Sequence, residues 1–165
     1  MPIGINNNDQ LTLYFRNGME KVIDAVSEEV LDTLQIFIET NVYDAAQRDF
    51  EREWYYKGNK RPTMQFLNAF RWDNMKETSK EITRVLFYDW ATMGVGTTGK
   101  DGDYLHTQNG DFRENMAEAF NVDGYVEGEF NSRKREPYWD NFIDAMFGGE
   151  KQLDELFKKY ISKYI

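Results

Sequence analysis

Residues 11–46, LTLYFRNGMEKVIDAVSEEVLDTLQIFIETNVYDAA, decide the fold of this chain. Large apolar side chains recur in this segment every three or four residues, which is the pattern of a helix with one buried face. They are Phe15, Met19, Val22, Val26, Val30, Leu34 and Phe37, with Ile23, Leu31 and Ile38 widening the same face. The segment therefore predicts one long amphipathic helix. Gly18 is a weak helix former, which leaves open a start beyond it.

The segments that follow predict shorter elements of both kinds. Residues 71–77 and 81–90 predict two strands, joined as a hairpin through residues 78–80, because β-branched and aromatic side chains are frequent in the second of them. Its alternation puts Ile82, Arg84, Leu86, Tyr88 and Trp90 on one face and Val85 and Phe87 on the other. Further predicted elements are short helices over 63–70 and 112–120, a strand over 122–130, and closing helices after Pro137 and over 151–165.

The predicted fold class is α+β, in one domain over residues 1–165. The long helix (about 11–46) packs on a small antiparallel sheet, and C-terminal helices (about 137–164) close the fold. Sheet and loops occupy about 70–130.

Composition excludes several classes of function. The chain has 29 acidic and 20 basic residues and a formal net charge of −9, which argues against wrapping nucleic acid through its phosphates. It has no cysteine, so disulfides, thiolate nucleophiles and Cys-ligated zinc are ruled out. Neither a signal peptide nor a run of about 18 apolar residues is visible, so we expect no membrane partner.

The glycine-rich stretch 94–110 is the place to look for a catalytic or ligand site. Asp101, Asp103 and the only histidine, His106, could form a metal or acid–base cluster, but the spacing is not that of a calcium loop. Gly94, Gly96 and Gly99 spell Gly-x-Gly-x-x-Gly without the βαβ unit that a dinucleotide site needs. We therefore predict a long loop with no catalytic, cofactor-binding or metal-binding residue.

A basic triplet, Arg133-Lys134-Arg135, precedes the aromatic pair Tyr138-Trp139. Basic residues beside rings can contact nucleic acid, but three charges do not offset the repulsion of an acidic surface. Pairing with an acidic neighbouring subunit is the favoured interpretation, and Glu28, Glu29 and Asp32 are available as counterparts. The predicted oligomer interface comprises Arg133, Lys134, Arg135, Tyr138 and Trp139, together with Gly96, Gly99 and Tyr104 of the loop.

The sequence also resembles a known family. The residues concerned are Val42-Tyr43-Asp44, Phe50-Glu51-Arg52, Tyr55-Tyr56, Arg61-Pro62-Thr63 and the run QFLNAF from Gln65 to Phe70. In this order they resemble a segment of the neck and tail-completion proteins of tailed phages, also called minor capsid or head–tail connector proteins. Residues 133–147, where basic residues and Pro137 precede a closing helix, are similar to that family's ending. The long loop 94–110 and the second C-terminal helix depart from the family pattern.

The resemblance implies a non-enzymatic virion protein, assembled in the host cytoplasm as a homo-oligomeric ring at the head–tail junction. DNA would pass through the ring without being specifically bound. Partners would be adjacent connector, portal-adaptor or tail-tube proteins, with no cofactor. Two other classes remain open: a small metal-dependent hydrolase or nuclease built on the Asp101–His106 loop, and a phage-encoded module that binds a host protein.

Overall fold

The computed structural model describes residues 8–44, 65–78, 80–93, 112–121, 136–149 and 151–165. Helix α1 (Asn8–Ile38) continues as a π-helical turn (Glu39–Asp44). The short elements that follow are α2 (Gln65–Asn68), β1 (Phe70–Trp72), β2 (Lys76–Glu77), β3 (Ile82–Thr83), β4 (Leu86–Tyr88) and a 3₁₀ turn (Trp90–Thr92). A second 3₁₀ turn (Phe112–Asn115) leads into α3 (Met116–Ala119), and α4 (Tyr138–Phe147) and α5 (Gln152–Tyr164) close the chain. The predicted α+β class is confirmed.

Helix α1 buries one residue in every four. The helix begins at Asn8, so the alternative start beyond Gly18 is wrong. The buried row is Gly18, Val22, Val26, Val30, Leu34, Ile38 and, in the π turn, Val42. Four residues turn an α-helix by slightly more than one revolution, so the row drifts about 40° at each step. The helix therefore turns different faces to different partners along its length. Phe15, expected on the buried face, is exposed.

The partners of α1 are the two closing helices and the first strand. Both α4 and α5 pack along it, and β1 contacts it. The Phe37 and Phe142 rings meet edge to face at 6.3 Å, while Trp72 Nε1 donates a hydrogen bond of 2.8 Å to the Ser27 carbonyl. The predicted burial of Val22, Val26, Val30 and Leu34 is confirmed. Residues of α4 and α5, as well as residues of the sheet, pack in the same core.

The hairpin forms as predicted, but in two ladders. Antiparallel pairing joins Arg71 to Phe87 in β1–β4 and Glu77 to Ile82 in β2–β3. Between the ladders the Val85 N–H donates to the Asp73 side chain at 2.6 Å instead of a main-chain carbonyl. That bond holds the pKa of the Asp73 carboxyl below its usual range. The predicted alternation is confirmed by Val85 and Phe87, which are exposed between half-buried neighbours.

The last helix packs back on the start of the first. Helix α4 begins after Pro137 and ends at Gly148, and α5 runs to Tyr164. The next residue, Ile165, packs on Gly18, where a Cβ would lie 2.9 Å from Ile165 Cγ1. Gly18 therefore permits a close helix approach.

Two expectations of the sequence lie outside the described residues, namely the strand over 122–130 and the glycine-rich stretch 94–110. Within the described part of the chain, no helix is both long enough and apolar enough to cross a membrane.

Candidate functional site

The Phe66 ring is the centre of a buried aromatic cluster, which we call the aromatic hub. Its ring contacts four others edge to face, with centroid distances between 5.0 and 5.7 Å; they belong to Phe70, Tyr88, Phe120 and Tyr138. Edge-to-face rings of this kind add stabilisation beyond the burial of their area. The hub therefore ties α2, the hairpin, α3 and α4 into one rigid end of the molecule.

Tyr138 belongs to this core. Its side chain is 1% exposed, and its hydroxyl donates to the Ala117 carbonyl at 3.0 Å. Burial raises the pKa of Tyr138, so the phenol stays protonated as a hydrogen-bond donor. Its position beside the basic triplet had suggested an exposed interface residue. Within the single chain, however, Tyr138 is buried.

Trp139 lies at the edge of the hub and is half-buried. Its ring stacks on Phe70 at a centroid distance of 6.4 Å, and its main-chain N–H donates to Asn121 Oδ1 at 2.9 Å. The first turn of α4 is therefore anchored to the end of α3. Trp139 remains available for a contact with another molecule through its exposed part.

The described residues that flank the predicted contact segments lie at the hub end. Gly96, Gly99, Tyr104, Asp101 and His106 lie outside the described residues, as do Arg133, Lys134 and Arg135. Met93, the last described residue before the glycine-rich stretch, is buried and accepts a hydrogen bond of 3.2 Å from Tyr88 OH. Asn121 and Glu136 flank the segment that holds the basic triplet, and Asn121 bonds to Trp139. The described residues next to both segments therefore lie at the hub.

The acidic counterparts predicted on α1 differ in availability. Glu29 is already hydrogen-bonded within the chain: its carboxylate accepts hydrogen bonds from Lys159 Nζ and Tyr160 OH of α5. These bonds hold the pKa of Glu29 below its usual range and raise the pKa values of Lys159 and Tyr160. Glu29 therefore already has partners within the chain, whereas Glu28 and Asp32 are exposed.

An open groove of about 290 Å³ lies between α1 and the hairpin. Two of its carboxylates are already paired with arginines, Asp24 with Arg84 at 2.7 Å and Glu77 with Arg16. Among the described residues, no group of three histidine, aspartate or glutamate side chains could hold a metal ion. Two of the groove's carboxylates are therefore already neutralised by ion pairs within the chain.

Sequence reasoning missed two features of the structure. Phe66 was visible only as one apolar residue of a short helix, because contacts with residues 54 and 72 positions away leave no local signal. The pairing of Glu29 with Lys159 spans 130 positions and was equally hidden.

Comparisons with known proteins add no assignment: no protein-family model, no curated protein and no solved structure matches the chain.

Proposed function

We propose that this chain is a non-enzymatic structural protein of a tailed-phage virion, which assembles into a homo-oligomeric ring at the head–tail junction. The resemblance carried by residues 42–70 and 133–147 supplies the identity of the assembly. The described structure supports the proposal with a packed scaffold beside the predicted contact segments.

The supporting observation is the convergence at the aromatic hub. Met93 and Asn121, the described residues next to the two predicted contact segments, are both hydrogen-bonded to hub residues or their neighbours. Segments that bind partners are commonly held in this way by a rigid scaffold. Their residues Gly96, Gly99, Tyr104 and the basic triplet would then act together on neighbouring copies or on connector, portal-adaptor or tail-tube proteins.

The acidic surface of α1 suits the passage of DNA. Glu28 and Asp32 are exposed on this helix, and the chain carries a net charge of −9. Carboxylates repel the phosphate backbone, so DNA can move past such a surface without being held. We therefore propose that DNA passes through the ring unbound.

Charge reversal tests the proposed contact segments. Changing Arg133 and Arg135 together to glutamate should impair assembly while leaving the melting temperature nearly unchanged, because exposed charges contribute little to folding stability. Lys21→Glu with Lys80→Glu makes the same change in net charge on exposed residues elsewhere and serves as the control. Particle size by light scattering, beside circular dichroism, measures both effects. Normal assembly of the Arg133/Arg135 variant would remove this segment from the interface.

The hydrolase alternative is tested at His106. If residues Asp101–His106 bound a catalytic metal, a divalent cation would raise the melting temperature and His106→Ala would abolish that shift. Our proposal expects no shift with magnesium, manganese or zinc, and normal assembly of His106→Ala. A cation-dependent shift that His106→Ala removes would replace the structural role by an enzymatic one.

A further inference from the structure

The connection between α4 and α5 contains a strained residue. Lys151 has a φ of 49° and a ψ of 39°, which is the left-handed conformation. Among the described residues other than glycine, it alone has a positive φ. Contact between Cβ and the backbone makes this conformation about tenfold less favourable than the right-handed one. The side chain of Lys151 makes no capping hydrogen bond to α5 that would offset this cost. The folded chain therefore holds the connection closed against the local preference of Lys151.

Helix α5 is held in place mainly by α1. It packs more extensively on α1 than on α4. The two helices run antiparallel, with Ile165 lying at Gly18 and, further along α1, Lys159 bonded to Glu29. The apolar residues of α5 that pack on the core are Leu153, Leu156, Phe157, Tyr160 and Tyr164. The surface that α5 covers is therefore presented mostly by one other helix.

A detached α5 would need that same surface again. The helix has 13 residues, and an isolated helix of this length is marginal in water. Its acidic residues, Asp154 and Glu155, lie in its first turn, and its lysines are Lys158, Lys159 and Lys163. Lys158 pairs with Glu155 inside the helix, whereas Lys159 pairs with Glu29 across the contact with α1. Both the apolar side and the ion pair of this surface are thus matched to α5, and a second copy of the chain carries an identical α5.

We infer that α5 is exchanged between copies of this chain: the connection over residues 148–151 opens, and α5 of one copy packs on α1 of another. Exchange is a low-cost route to an oligomer, because it reuses contacts that each chain already forms. The opened connection also frees Lys151 to take the right-handed conformation, so exchange releases its strain. The inference deepens the proposed function and rests on its self-assembly, since copies that each pass α5 to the next are linked head to tail, as a ring requires.

Single cysteines report which chain supplies α5. The chain has no cysteine of its own, so Glu29→Cys and Lys159→Cys each introduce one thiol. The two variants carry different tags, are co-expressed and are treated with a short bismaleimide. Position 29 of one variant then meets position 159 of the other only where α5 has been exchanged. We expect a covalent heterodimer, identified by its two tags and by the mass of the linked peptides.

The pair Asp24→Cys and Arg84→Cys is the matched control. These side chains pair at 2.7 Å and join α1 to the hairpin, which stays with its own chain in the exchange. Mixed in the same way, they should give at least about fivefold less heterodimer. Equal yields from the two mixtures, or none from the 29/159 mixture, would overturn the inference. Sedimentation of the parent then separates two failures: a parent that assembles loses only the exchange, and a parent that stays monomeric at every concentration loses the proposed ring as well.

The strained connection gives a second test that leaves the contacts between α1 and α5 untouched. Glycine adopts the left-handed conformation without a steric cost, so Lys151→Gly favours the closed form. Added to both members of the 29/159 pair, it should lower the heterodimer yield about fivefold or more. Lys80→Gly, at an exposed position of the hairpin, should leave the yield unchanged. A yield that Lys151→Gly does not lower would overturn the role of this connection as the hinge.

Discussion

Glu29 links the first and last helices through hydrogen bonds from Lys159 and Tyr160. A carboxyl whose pKa is lowered by folding stabilises the folded state above its ordinary pKa of about 4.3. That stabilisation is lost as the pH falls through the lowered folded value. The raised pKa values of Lys159 and Tyr160 act in the opposite sense, so their contribution is complete below about pH 10 and is lost on further alkalinisation.

We therefore expect Glu29→Gln to lower the free energy of unfolding at pH 7 and to reduce its decline between pH 7 and pH 3. The neighbouring Glu28→Gln is the control, because Glu28 is exposed and has no partner among the described residues. Urea unfolding at several pH values measures both variants. Parallel pH profiles for Glu29→Gln and the parent would contradict the pairing.

Gly18 lies against the C-terminal end of the last helix. A Cβ there would lie 2.9 Å from Ile165 Cγ1 and 3.2 Å from the Tyr164 carbonyl oxygen, so Gly18→Leu must displace the end of α5. Overpacking of this kind typically costs about 1–3 kcal/mol, despite the better helix propensity of leucine. Gly149→Ala should be close to neutral, because its Cβ would meet no atom within 4 Å. Thermal unfolding of the two variants tests the contact, and a Gly18→Leu variant as stable as the parent would exclude it.

At the scale of elements, we expect the largest loss of stability from truncating a buried residue of helix α1. Leu34 is 0% exposed, whereas Ile36, two positions along, is 61% exposed. Leu34→Ala should cost about 2–5 kcal/mol by leaving a cavity, and Ile36→Ala should have little effect. Denaturant unfolding compares them directly. Similar losses for the two variants would mean that the helix is rotated from its described position.

The elements that could be predicted are those with a local repeat. The apolar spacing in α1 and the alternation in the hairpin are patterns among residues close in sequence. The helix, the strands and their exposed faces could therefore be predicted from residues 11–46 and 81–90. The π turn after Ile38 and the Asp73 side-chain bond that separates the two ladders depend on tertiary packing and had no local signal. The same limit applies to the site: the basic triplet is visible in sequence, but the burial of Tyr138 is not.

At the scale of the whole molecule, the described residues have two distinct ends. The aromatic hub lies at one, where the flanks of the glycine-rich and basic segments meet. The first turns of α1 (8–17), all exposed, and Ile165, the residue after α5, form the other. A subunit with two different contact surfaces can join a ring and also bind what lies above or below it. This arrangement is what the proposed ring requires of one chain.

Self-assembly is the central claim, and electron microscopy of the purified chain tests it most directly. Negative-stain images at low micromolar concentration and physiological salt should show ring-shaped particles with a central opening. A linked sedimentation measurement should give a mass that is a fixed multiple of the 19.6 kDa chain. Images without rings, together with a 19.6 kDa mass at every concentration, would contradict the account.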